Sequence, residues 1–140
     1  MKMKLIEAPE EAGQLEGRAH KRIVAGLERI LKEDPEWICD YIPSFSGKPE
    51  ILPRMLLIDE DSGKVLTDTD IVFRDTQFGD LYVLECKSYG GEKALTTADW
   101  QTRGVSTELS RIHNSTVYVY AITKETTQKE PKFIQLYRRG

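Results

Sequence analysis

The chain has 140 residues, 39% of them hydrophobic and 31% charged, with a formal net charge of −3. That length suits one domain, 1–140, with a real hydrophobic core and is short for two. No apolar run reaches the length of a membrane span, and the opening MKMKLIEAPEE has no signal-like stretch, so a cytoplasmic protein with no membrane partner is expected. Cys39 and Cys86 lie in no CxxC or Cys/His cluster, which argues for reduced thiols and against structural zinc. The acidic balance does not advertise nucleic-acid binding, yet it is compatible with a nest of carboxylates beside a local basic face.

Over residues 10–32, Leu15, Ala19, Ile23, Leu27, Ile30 and Leu31 recur at helical intervals, with Arg18, Lys21, Arg22, Glu28 and Arg29 on the other sides. Pro9 with Glu10 and Glu11 suits the start of this helix, and Asp34-Pro35 the stop. Pro43, Gly47, Pro49 and Pro53 punctuate the next stretch, so residues 37–53 read as a loop with at most one short strand, 38–42. Three strands come next: RMLLID at 54–59, VLTDTDIVFR at 65–74 and LYVLECKS at 81–88. Their short turns predict an antiparallel meander. Gly90-Gly91 precedes a second helix over 97–113, then a β-branched and aromatic strand at 115–123 and an edge strand at 132–137. The order of helices and strands predicts an α/β sandwich with a central mixed sheet flanked by helices.

Strand alternation puts Leu81, Val83, Glu85 and Lys87 on one face of the third strand, and Tyr82, Leu84 and Cys86 on the other. An acid and a base at the end of a buried face are expensive unless they pair or bind something. The preceding strand carries Asp68 and Asp70. Asp70 directly precedes the apolar run 71–73 and is the stronger candidate to meet Glu85 across the DTQFGD turn. Two carboxylates and a lysine make a sensible Mg²⁺ or Mn²⁺ site, with positions left for water and phosphate. In such a site a lysine can position the attacking water or offset charge in phosphodiester hydrolysis.

Asp70, a hairpin, then Glu85-Cys86-Lys87, set between an N-terminal helix and a second helix and strand, resembles the PD-(D/E)xK nuclease superfamily over residues 15–123. TDTDIVF and LYVLECKSYGG look most like the versions in archaeal Holliday-junction resolvases and NERD domains. The resemblance implies a restriction-endonuclease-like αβββαβ core and an Mg²⁺- or Mn²⁺-dependent endonuclease acting on branched or duplex DNA. By similarity Asp70 and Glu85 would be metal ligands, Lys87 the catalytic lysine, and Glu16 a further helix carboxylate and metal ligand, with Glu11 as second choice. Thr69 stands where many members have proline. Gln101 matches a helix glutamine of some members, while Val105 occupies the position of their tyrosine.

Blander readings stand beside these. Glu85 and Lys87 also fit a solvated ion pair, and His20 and Glu16 a helix-surface pair in preference to a place for His20 near the metal. Cys86 fits a core residue, and Trp37 and Trp100 packing anchors, although Trp100 also falls where substrate would pass. Arg18, Lys21, Arg22, Lys93, Arg103 and Arg111, with Gln101, are candidate DNA contacts, although scattered cations usually mean solubility. A duplex or junction endonuclease would be a symmetric homodimer, for which the strands at 115–123 and 133–137 are candidate interfaces. The competing functional reading is a catalytically silent nuclease-fold module binding nucleic acid or a protein. A weaker third is a structural α/β protein with incidental charges.

Overall fold

The computed structural model describes residues 2–9, 17–124 and 129–140. It is a mixed α/β structure: β1 (Met3–Glu7), α1 (Arg18–Glu33), α2 (Glu36–Cys39), β2 (Pro49–Ile51), β3 (Met55–Asp59), β4 (Val65–Asp68), β5 (Ile71–Asp75), β6 (Leu81–Lys87), α3 (Gly91–His113), β7 (Val117–Thr123) and β8 (Lys132–Arg139). A five-stranded sheet has the order β2-β5-β6-β7-β8, and a three-stranded sheet the order β1-β3-β4. Among the described residues only the β6–β7 pair is parallel, joined by the α3 crossover; the remaining pairs are antiparallel. Among the same residues no helix is long and apolar enough to cross a membrane.

The large sheet is covered on both faces, which is why LYVLEC is buried along its whole length. On one face Ile71, Phe73, Tyr82, Leu84, Cys86, Tyr120 and Ile122 pack against Leu27 and Leu31 of α1 and Ile38 of α2. On the other, Val72, Leu81, Val83, Val117 and Val119 meet Val105 and Leu109 of α3 and Leu57 of the small sheet. Inside α1 the buried stripe runs through Ile23, Val24, Leu27, Ile30 and Leu31, and Ala19 is exposed instead of joining it. Leu15, Glu11 and Glu16 lie outside the described residues.

Four expectations are corrected. The segment 38–42 is not a strand: Pro35 and Glu36 start a helical turn, and the Ile42 N–H donates to the Ile38 carbonyl at 2.8 Å, so both isoleucines face the core. The strand inside the proline-rich loop is instead Pro49–Ile51, at the sheet edge, where a missing N–H is tolerated. The opening M-K-L-I-E, read as no element, is β1, with Met3 and Leu5 against the core. The single strand at 65–74 and the meander do not form. β4 pairs with β3 in the small sheet and β5 with β6 in the large one, and the chain changes sheets at Thr69-Asp70.

The cause of that break is local. Thr69 closes the small sheet: its N–H donates to the Met55 carbonyl, its hydroxyl accepts from the Met55 N–H, both at 2.9 Å, and its carbonyl accepts from Arg54. The apolar character of VL and IVF is interrupted at TDTD, where polar side chains replace ladder partners. The strand expected at 115–123 is β7, an interior strand paired on both sides. It therefore has no free edge for a second copy, whereas β8 lies at the sheet edge.

Candidate functional site

β6 runs through the middle of the large sheet and delivers Glu85 and Lys87 at its C-terminal end, on the face covered by α3. Beside it, Ile71 pairs with Leu84, so one further step in that antiparallel register sets Asp70 opposite Glu85. The outer ends of parallel strands joined by a helix crossover are where α/β sheets commonly hold ligands.

The side chains converge. Lys87 Nζ lies 3.6 Å from Glu85 Oε1 and donates to Gln101 Oε1 at 2.5 Å, so α3 fixes the lysine from above. Asp70 Oδ2 accepts the Cys86 backbone N–H at 2.8 Å, and Asp70 Oδ1 meets His20 Nε2 at 3.1 Å, so α1 reaches the cluster from the other side. The side chains of Asp70 and Glu85 are 3% and 8% exposed, and that of Lys87 11%. These are not the exposures of a solvated edge pair.

Burial raises the Glu85 carboxyl well above the usual range, and the nearby Asp70 carboxylate pushes it further, while Lys87 only partly offsets them. The hydrogen bond with Asp70 raises the His20 imidazole against the opposing effect of burial. Burial likewise holds the Cys86 thiol well above its ordinary value, with Asp70 and Glu85 adding to the effect. Cys86 is thus an inert core residue of the α1 face, as alternation indicated.

Asp70, Glu85 and Lys87 come together. Asp68 does not join them: it sits in β4 with its carboxylate 2.7 Å from Arg54. Glu16, the expected third carboxylate, and its alternative Glu11 lie outside the described residues. His20 contacts Asp70, the less favoured of its two sequence readings, because the first turn of α1 already lies over the end of β6. Gln101 belongs to the cluster and not to an outer rim.

Arg18, Lys21, Arg22 and Lys93 are exposed on α1 and α3. Arg103 is bound to Asp99 at 2.8 Å and Arg111 to Glu108 at 2.7 Å, both within α3. Val105 is a core residue on the buried side of α3. Trp100 is 71% exposed and is no packing anchor, unlike Trp37, which packs on Tyr41 and Phe133.

Among the described residues no group of three His, Cys, Asp or Glu side chains is arranged to hold a metal ion. The two that remain nevertheless fit one class of ion. Mg²⁺ is bound through one or two carboxylates, with water and phosphate completing its shell. Asp70 and Glu85 are two adjoining hard-oxygen donors whose mutual repulsion is only partly relieved by Lys87. Comparison with protein-family models, with curated proteins and with solved structures finds no match to this chain.

Proposed function

We propose that the chain is a Mg²⁺- or Mn²⁺-dependent deoxyribonuclease of the PD-(D/E)xK type, an endonuclease of branched or duplex DNA. The reading rests on one observation above the others: two buried carboxylates and a lysine, on a strand pair with the Asp…Glu-x-Lys order, meet at the end of an interior strand. The order α1, β2, β5, β6, α3, β7, with its four strands neighbours in the large sheet, supports a restriction-endonuclease-like core, with β1, β3 and β4 as additions that pair in their own sheet.

In this reading Asp70 and Glu85 hold the cation, which when bound lowers the pKa of water and polarises a phosphoryl oxygen. Lys87, held by Gln101, offsets the charge that develops on the phosphate. His20 at Asp70 Oδ1 and the Cys86 N–H at Oδ2 together fix the orientation of the carboxylate, and each oxygen keeps a further lone pair for the ligand. The exposed cations of α1 and Lys93 are the DNA-facing charges, and a symmetric dimer would serve a cut on both strands.

The test is cleavage of four-way-junction, duplex and single-stranded DNA with Mg²⁺ or Mn²⁺. Lys87→Ala is expected to reduce the rate about 100- to 1,000-fold, the usual effect of removing one charge-stabilising group. No cleavage of any substrate by the wild type, or equal cleavage by Lys87→Ala, overturns the reading.

A further inference from the structure

Beside the catalytic cluster, α3 and the small sheet enclose a hollow of about 270 Å³ lined by Met3, Leu57, Leu66, Thr67, Trp100, Gln101 and Gly104. Its walls are mostly apolar, and two features make it more than a packing flaw. One is Trp100, a lining residue that is 71% exposed although Val105 and Leu109, further along the inner side of α3, are buried. A large aromatic left in water forfeits stability unless something covers it. The other is Gln101, which lines the hollow and also accepts the Lys87 ammonium hydrogen bond, so the hollow and the cluster share a wall.

We propose that this hollow is a binding subsite for one unpaired nucleobase, stacked on Trp100, next to the phosphodiester that reaches Lys87; the proposal rests on the nuclease reading. The chemistry of the lining matches a base in three ways. An indole face takes any base by stacking, without sequence preference. The hollow lies just below the size of pockets that take whole small molecules, about 300–1,000 Å³, and so suits a single ring system. The Thr67 hydroxyl and the Gln101 amide set polar groups at the edge of an otherwise apolar slot, as base edges require.

Placement agrees as well. Lys93 is exposed two turns before Trp100 on the same side of α3, where the phosphate of a neighbouring nucleotide would run. Gly104, one turn after Trp100, lets the helix come so close to the small sheet that a Cβ there would lie 2.6 Å from Leu57 Cδ2. That close approach sets the floor of the hollow. A base inside a duplex cannot enter it, whereas one at a branch point, a frayed end or in a single strand can.

The test is binding, measured without divalent cation so that no cleavage intervenes. Tryptophan fluorescence and anisotropy would be followed with labelled dT and U 12-mers and a blunt 12-base-pair duplex, for wild type, Trp100→Phe and Trp100→Ala. The single strands are expected to quench the wild-type fluorescence. Trp100→Ala should weaken their binding about 5- to 150-fold, the fold-change that corresponds to losing one base–aromatic stack. Trp100→Phe should restore most of it, and duplex binding should change less than 2-fold. Tighter binding of the dT strand than of the U strand would make DNA the source of the base, and tighter binding of the U strand would make it RNA.

Equal single-strand affinity of wild type and Trp100→Ala overturns the inference, as does an equal loss on the duplex or no binding of any oligonucleotide. A loss of binding to an apolar peptide in place of the oligonucleotides would assign the hollow to a protein partner and overturn it too. The nuclease reading stands or falls separately, on cleavage by Lys87→Ala.

Discussion

In the cation-free protein, Glu85→Gln is expected to raise stability, although Glu85 is the centre of the proposed site. Lys87 lies 3.6 Å from the Glu85 carboxylate, and at an effective dielectric constant of about 20 that attraction is on the order of 4–5 kcal/mol. Asp70, close enough to hydrogen-bond with Glu85, opposes it with a repulsion of similar size, so the desolvation of a carboxylate only 8% exposed is left without compensation. Because the folded-state pKa of Glu85 is raised, the native protein binds a proton that the unfolded chain has already released. Its contribution to stability is full below the ordinary carboxylate range and is lost as pH rises through the folded value.

Glutamine keeps the shape and removes that loss. We expect a gain of about 1–3 kcal/mol at pH 8, a Tm higher by about 3–10 °C, and convergence of the two proteins near pH 4. Mn²⁺ or Mg²⁺ at 100 times its dissociation constant should add about 2.7 kcal/mol to the wild type and far less to the variant. Scanning calorimetry at several pH values, with and without cation, reads all of this. A wild type that is more stable than Glu85→Gln at pH 8 without cation would refute the reasoning, and so would a difference independent of pH.

Two further predictions concern the scaffold. Asp75 is fully buried and its carboxylate accepts from the Ser46 N–H and hydroxyl and from the Gln77 and Phe78 N–H groups, so Asp75→Ala should lose about 3–5 kcal/mol in denaturant unfolding. Burial pushes that carboxyl up, but these hydrogen bonds outweigh it and leave it below its ordinary value; its stabilisation is therefore present above the ordinary carboxylate range and lost as pH falls through the folded value, a dependence the variant should lack. Gly104→Ala should lose about 1–2 kcal/mol, because the new methyl meets Leu57 Cδ2 and Met3 Sδ and the strain exceeds the gain in helix propensity. A Gly104→Ala protein more stable than wild type would mean that Leu57 moves aside freely.

Much of the site was legible because it sits on an interior strand. In LYVLECK the period of two is enough to set Glu85 and Lys87 on one face and Cys86 on the other, and tertiary packing left that face unchanged. Asp70 over Asp68 was also legible, since only Asp70 adjoins the apolar run that pairs with β6. What local pattern does not encode is which sheet a strand joins. VLTDTDIVFR has the propensities of one strand, and the change of partner at Thr69-Asp70 depends on Arg54 and Met55, fifteen residues away in sequence or nearly so. The His20–Asp70 contact and the exposed Trp100 are tertiary for the same reason: each depends on where a helix lies over a sheet edge, not on its own turn. The signal for β1 is the alternation of lysine with apolar residues in KMKLIE, too short a run to stand out beside the longer strands.

The break between β4 and β5 explains why the site is where it is. In an unbroken strand the residue after Thr69 would be one more rung of a ladder, with its side chain committed to a face. Here the chain leaves one sheet and enters another, and the Asp70 carboxylate itself accepts the Cys86 N–H that a strand carbonyl would otherwise take. One oxygen is thereby pinned to the backbone of β6 and the other is turned toward α1 and His20. The same divergence carries the small sheet away from β6 and under α3, where Gly104 sets the spacing and Trp100 is left at the opening. Cluster and hollow are two consequences of a single change of strand partner, which is why Gln101 can serve as a wall of both.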